Sequence, residues 1–373
     1  MTRSASDWLE QIRSLALPPR VKVLNVCGGH ERSISMSGLR AALPTEIELI
    51  PGPGCPVCVC PEEDVYEAIQ LAVREKVTLL AFGDMLRVPV NAPKREPRSL
   101  EQAKAAGADV RPIATPTEAV RVAESCPGQP VVFFAAGFET TTAPVAALLA
   151  EGVPDNLFVL LSGRLTWPAV AMLLESGAAG FDALIAPGHV ATVMGPEEWE
   201  FVPRQHAVPA AIAGFQPQTL LAALYRVLCQ YLAGSPQLDN CYPQVVRPGG
   251  NERARALLRQ VMDVADANWR GIGVIPKSGF VLAEDYAAHD ARRALPSYRN
   301  EVRKRMGEMP PGCDCARVVL GRLYPDQCRL YGVACTPRTP VGPCMVSDEG
   351  ACRIWWASGK RKNERTAGTT TAI

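Results

Sequence analysis

Val131-Val-Phe-Phe-Ala-Ala136 runs straight into Gly137-Phe138-Glu139-Thr140-Thr141-Thr142. A six-residue run with no polar position does not alternate as a half-exposed strand would; it fits a strand covered on both faces, as in a parallel sheet. The glycine and polar residues that follow mark a strand-to-helix turn. The same signature recurs along the chain. Val21-Cys27, Glu46-Ile50, Val77-Phe82, Leu157-Ser162, Ala183-Ala186 and Ala210-Ala213 read as further strands. Amphipathic stretches separate them: Pro61-Glu62-Glu63-Asp64 opens one helix, and Pro217 opens another with Leu220, Leu221, Leu224, Val227 and Leu228 at helical spacing. Stacked βα units are the expected fold from about Val21 to about Val264.

Phe134-Ala-Ala-Gly-Phe-Glu139 and Ala211-Ile-Ala-Gly-Phe-Gln216 both place Gly-Phe and a polar residue after an apolar run. The expected architecture is therefore α/β, with two Rossmann-like parallel-sheet lobes, residues 1–125 and 126–265. A small cysteine-rich C-terminal domain follows over 266–357, with a disordered tail over 358–373. The 39 basic and 38 acidic residues nearly cancel, which speaks against a nucleic-acid footprint. The N-terminal stretch is broken by Arg3, Asp7, Glu10 and Arg13, and the run Leu157 to Leu174 by Arg164 and Pro168. Neither a secretory signal nor a membrane span is expected, and the chain reads as cytoplasmic. In a reducing compartment its 13 cysteines point to metal or thiol chemistry rather than a disulfide framework.

Six cysteines fall between Cys313 and Cys352, in a stretch rich in proline and glycine and poor in apolar runs. Such a segment is ordered when thiolates bind metal, because ligation then contributes to folding. Cys328, Cys335, Cys344 and Cys352 have six, eight and seven residues between them, unlike the close pairs usual for zinc. A four-cysteine [4Fe-4S] cluster accepts that irregularity, leaving Cys313 and Cys315 for thiol exchange. Gly52-Pro-Gly-Cys55-Pro-Val-Cys58-Val-Cys60-Pro61 places a C-x-x-C at a helix entrance, where backbone N–H groups favour thiolate. Cys27-Gly-Gly-His30-Glu31 and Pro187-Gly-His189-Val190 also follow strands, and parallel α/β sheets collect ligands at that edge. Cys27 and His30 are candidate metal ligands, with Gly28 and Gly29 admitting close approach of another group. Glu139 can bind, move a proton or cap a helix, and Asp84 and Arg87 of Phe82-Gly-Asp84-Met-Leu-Arg87 can pair with each other. No G-x-x-x-x-G-K-[ST], G-x-G-x-x-G or C-x3-C-x2-C occurs, so nucleotide and radical chemistry find no support.

These loops together resemble the HypD family of hydrogenase maturation proteins. Cys27-Gly-Gly-His-Glu31, Gly52-Pro-Gly-Cys-Pro-Val-Cys58, Phe82-Gly-Asp-Met-Leu-Arg87, Gly137-Phe-Glu-Thr-Thr141, Pro187-Gly-His-Val190 and Cys335-Thr-Pro-Arg-Thr-Pro-Val-Gly-Pro-Cys344 follow the family order. The resemblance implies a scaffold for the Fe(CN)2(CO) group of [NiFe]-hydrogenase. It implies Cys27 as one iron ligand, a HypC-type chaperone bringing the other, and a HypE-type carrier of cyanide. Cys55 and Cys58 become a redox dithiol, the C-terminal cluster its electron source, and His30, Glu139 and His189 the lining of the site. Cys60 departs from the pattern as an extra thiol. Two other readings stay open on the residues alone: a zinc-stabilised partner-binding protein and a general dithiol oxidoreductase.

Overall fold

The computed structural model describes residues 3–93, 95–177, 180–295 and 309–359. Eleven strands among them form two sheets: β1 (Val21–Cys27), β2 (Ile47–Gly54), β3 (Thr78–Phe82), β4 (Val110–Ile113), β5 (Val131–Gly137), β6 (Leu157–Arg164), β7 (Ala183–Pro187), β8 (Ala210–Ala213), β9 (Leu238–Asn240), β10 (Met262–Trp269) and β11 (Gly273–Leu282). The first sheet has the order β2-β1-β7-β8-β9 and is parallel throughout. The second has the order β10-β11-β6-β5-β3-β4; its β6-β5-β3-β4 part is parallel, and the β10-β11 hairpin adds antiparallel to β6.

The fold is thus α/β with two mainly parallel sheets and a cysteine-rich C-terminal region. The sheets do not follow the expected sequential lobes. The first draws on residues 21–54 and 183–240, the second on 78–164 and 262–282, so the chain crosses between them three times. The division at 125/126 separates neither sheet, and that at 265/266 falls inside β10. Apolar periodicity is a local signal, and it cannot say which sheet a strand joins. Of the tail expected over 358–373, residues 360–373 lie outside the described residues.

Continuous apolar strands serve two packing layers at once. Phe133 and Phe134 are both fully buried and belong to different core clusters on the two faces of β5. Each contributes roughly 2 kcal/mol by that burial. The layer holding Leu79, Val132 and Phe134 continues through Cys55, Cys58 and Cys60 into Cys315, Cys328, Cys335, Cys344 and Cys352. The cysteine-rich segment is therefore packed onto the second sheet's core.

Both sheets reverse their winding beside a central strand. In the first, β2 lies on one side of β1 and β7 on the other; in the second, β4 and β5 flank β3. Crevices at the carboxyl ends of such switch points are where α/β sheets bind ligands. Cys27 ends β1, Pro187 ends β7 with the helix Gly188–Met194 directly after it, Asp84 follows β3 and Glu139 follows β5. The β1-β2 contact at this edge depends on Gly54, where a Cβ would lie 1.7 Å from Val26 O and 2.7 Å from Cys27 Cα. Gly54→Ala is accordingly expected to cost about 3 kcal/mol or more, because the obstructing atoms are backbone. Urea unfolding followed by circular dichroism will read it as a lowered midpoint.

Candidate functional site

Cys27 is the residue before the helix Gly28–Met36 and keeps an extended backbone. Its half-buried thiol faces two opposing influences. Burial and the neighbouring Glu349 carboxylate push its pKa up to about 12, while the N–H groups of Gly29 and His30 favour the anion. The thiol is protonated at rest, and a bound cation is what would release the proton. The two glycines after it are filled by the protein itself. A Cβ on Gly28 would stand 2.5 Å from Glu349 O, and one on Gly29 2.9 Å from the Phe215 ring.

His30 is fully buried, with Nδ1 3.2 Å from Asn25 Oδ1 and Nε2 3.0 Å from Ala213 O. Burial pulls its pKa down to about 3, so the ring is neutral. A neutral ring has one N–H, which it donates to one of these oxygens while the other nitrogen stays packed against the second. With both nitrogens facing oxygens of β1 and β8, His30 is a structural member of the site rather than a free ligand. His189 lies in the first turn of the helix Gly188–Met194 and stacks on Phe215 at 3.8 Å; Phe215 also lies 4.7 Å from His30. Sequence reasoning missed Phe215 as a site residue. Its signal was the Gly-Phe repeat, whose other member, Phe138, packs 6.0 Å from Trp269.

Cys55 and Cys58 are joined as a disulfide, with Cα atoms 5.3 Å apart. Cys55 precedes the short helix Pro56–Val59, and the Cys58 N–H donates to its Sγ at 3.2 Å. Cys27 is the register partner of Gly54, the residue before Cys55, so thiol and disulfide occupy adjacent strand ends. Cys60 lies 3.5 Å from Ser162 Oγ, which donates to Asp64 at 2.5 Å. Burial and Asp64 push the Cys60 thiol up to about 12.

Glu139 is fully buried on the second sheet, where its carboxylate accepts from Thr166 N at 2.6 Å and Thr166 Oγ1 at 2.7 Å. It thereby holds the start of the helix Thr166–Glu175. Burial pushes its pKa up to about 7, and its charge in turn helps push Glu198 up. A carboxyl raised from 4.5 when folded adds stability that is complete below that value and is lost as pH rises through about 7. The Glu139 contribution should fall between about pH 5 and about pH 8, so the difference in thermal stability between wild type and Glu139→Gln, followed over that range, should change by on the order of 2–3 kcal/mol.

The remaining motif residues fasten the C-terminal segment across these strand ends. Glu31 receives Arg40 at 2.5 and 2.6 Å and Trp355 Nε1 at 3.0 Å. Asp84 accepts from Ser347 Oγ at 3.0 Å, and Arg87 donates to Pro337 O at 2.7 Å. Asp84 and Arg87 thus serve that segment instead of pairing with each other. Glu349, unnoticed in the sequence, comes from the same segment.

All six C-terminal cysteines gather in one region. The Cys313 and Cys315 sulfurs are 3.4 Å apart, and the Cys315 thiol is within hydrogen-bond reach of both Cys344 and Cys352. Cys335 Sγ accepts from Val341 N at 3.3 Å, and Cys328 Sγ lies 3.9 Å from Gly312 O. The Cys315 and Cys344 thiols pull the Cys352 pKa down to about 6, whereas burial pushes Cys335 up to about 11. One sulfur is thus already prone to carry charge among thiol neighbours, a donor set that suits thiophilic metal. Cys313 and Cys315, set apart in the sequence reading, sit inside this group. Among the described residues no three His, Cys, Asp or Glu side chains converge as around a single ion, so ligation requires these touching sulfurs to spread. No helix among the described residues is long and apolar enough to cross a membrane.

Comparison with known proteins gives the family. The family model HypD, described as the hydrogenase formation hypA family, matches residues 3–359. The hydrogenase maturation factor HypD2 of Bradyrhizobium diazoefficiens is 37% identical over 369 residues, covering 95% of this chain and 94% of the relative. HypD of Rhizobium leguminosarum bv. viciae is 38% identical over 367 residues, covering 95% and 93%. HypD of Azotobacter vinelandii is 38% identical over 369 residues, covering 96% and 95%. With its motif loops at the sheet edges under the cysteine-rich segment, the chain belongs to the HypD family of hydrogenase maturation factors.

Proposed function

We propose that the protein is the cytoplasmic scaffold on which the Fe(CN)2(CO) group of [NiFe]-hydrogenase is assembled, the iron being its cargo. Cys27 supplies one thiolate and a HypC-type chaperone the other, while a HypE-type carrier delivers cyanide on a thiol. The observation that supports this reading is the pairing of Cys27 with Gly54, which sets the Cys27 thiol beside the Cys55–Cys58 disulfide. Cys27 gives up its proton to bind the cation, and the N–H groups of Gly29 and His30 then face a thiolate. Reducing the disulfide breaks one S–S bond and takes up two electrons and two protons. Cys328, Cys335, Cys344 and Cys352 are the proposed holders of a [4Fe-4S] cluster, which supplies electrons singly when bound. Cys313 and Cys315, packed in the same group, are the thiols left for exchange. Phe215 and His189 wall the Cys27 side, and Glu139 keeps the second sheet's edge in place.

Infrared spectroscopy of the protein purified without oxygen together with its small chaperone partner tests the reading. Bound cyanide and carbon monoxide should give stretching bands in a nearly empty window. Iron-loaded complex without those bands would contradict the scaffold role.

A further inference from the structure

The turn between β10 and β11 carries Arg270 into the space between the dithiol loop and the C-terminal cysteines. Its backbone N–H donates to Val59 O at 3.0 Å, next to Cys58 and Cys60. On its other side, a Cβ on Gly271 would lie 2.5 Å from Met309 Cγ and 2.9 Å from Ala316 Cβ, beside Cys315. The Arg270 side chain is 2% exposed. Nη2 donates to Pro89 O at 2.6 Å and stands 3.6 Å from Glu62 Oε2, too far for a hydrogen bond. Nε and Nη1 have no hydrogen-bond partner among the described residues, and neither has Glu62 Oε2. Buried polar groups are nearly always paired, and a dry guanidinium with one long ion pair is costly to maintain. Its positive charge bears on Cys60 on one side and Cys313 on the other.

We propose that Arg270 is an electrostatic positioning residue for the sulfur chemistry: a cation held dry between the dithiol loop and the C-terminal thiols, so that sulfur can carry negative charge when Cys55–Cys58 opens. The proposal rests on the redox reading of that pair. With a small dithiol as reductant, the Cys55–Cys58 bond breaks and the reagent's two thiols become its own disulfide. Two electrons pass to the protein's sulfurs. One sulfur keeps a proton and the other's goes to solvent, leaving a thiolate. In a low-dielectric interior a nearby cation favours that anion far more than it would in water. A cation fully neutralised by Glu62 would do little; the long pair and the free N–H groups leave its field available.

The test equilibrates the full chain, without oxygen, in mixtures of reduced and oxidised dithiothreitol. Alkylation and peptide mass analysis then give the fraction of Cys55–Cys58 disulfide for wild type, Arg270→Met, Arg270→Lys and Glu62→Gln. Arg270→Met should be about tenfold harder to reduce, or about 30 mV for a two-electron couple. Arg270→Lys, which keeps the charge, should stay within about threefold of wild type. Glu62→Gln should move the opposite way, towards easier reduction, because the cation loses its counter-charge. A folded Arg270→Met with the wild-type equilibrium overturns the proposal. If that variant does not fold, Glu62→Gln decides: unchanged or harder reduction overturns it. Equal exchange in all four proteins removes only the role of Arg270, whereas a wild-type pair that never exchanges removes the dithiol reading and this proposal together.

Discussion

Cys352→Ala is expected to purify colourless, with iron and acid-labile sulfide at background and the C-terminal segment open to protease. Cys352 is buried and is drawn towards the thiolate form by the Cys315 and Cys344 thiols, so it is the sulfur best prepared to bind first. Its removal takes the one low-pKa sulfur from the proposed ligand set, and where a metal is bound its affinity is folding free energy. Wild type purified without oxygen should be brown. Cys335→Ala should behave in the same way, since its sulfur borders the group and is held by the Val341 N–H. Undiminished iron and sulfide in Cys352→Ala would remove the cluster from this segment. Single alanine variants at Cys313, Cys315, Cys328 and Cys344 complete the assignment. Loss at Cys328 and Cys344 supports the proposed quartet, and loss at Cys313 or Cys315 replaces a member of it.

What the sequence disclosed depended on whether a feature was local. The strands from Val21 to Ala213 were legible because their residues are buried on both faces. β4 has only four residues and includes Pro112, and β9 has three half-buried ones, so neither rises above the surrounding loops. The β10-β11 hairpin was missed because β10 mixes Asp263, Asp266 and Asn268 with its apolar residues, as suits an edge strand. The cysteines announced themselves by type and spacing. Their partners did not: Glu349, Phe215 and Arg270 reach the site from distant segments, and residue type alone marks none of them. His30 shows the converse. It looked like a ligand, yet its ring nitrogens are packed against oxygens of two strands, Asn25 Oδ1 and Ala213 O.

Cys27→Ser is expected to separate holding iron from folding the protein. The serine hydroxyl is close in size to the thiol, can accept from the same Gly29 and His30 N–H groups, and leaves the contacts of Gly28 with Glu349 and of Gly29 with Phe215 untouched. Thermal stability should therefore stay within about 1 kcal/mol of wild type. The metal chemistry should not survive. A hydroxyl is a hard, weakly acidic donor, protonated at neutral pH, and a poor replacement for thiolate on low-spin iron. The variant should keep its brown colour and still bind the small chaperone, because the C-terminal cysteines and the outer surface are unchanged. It should lose the cyanide and carbon monoxide bands, and cells carrying it should lack [NiFe]-hydrogenase activity, with loss of at least about a hundredfold, since no other thiol stands free at the end of β1. Wild-type band intensity in Cys27→Ser would transfer the iron to another sulfur. Cys58 would be the first candidate, because opening the disulfide would free a thiol one strand away from Cys27.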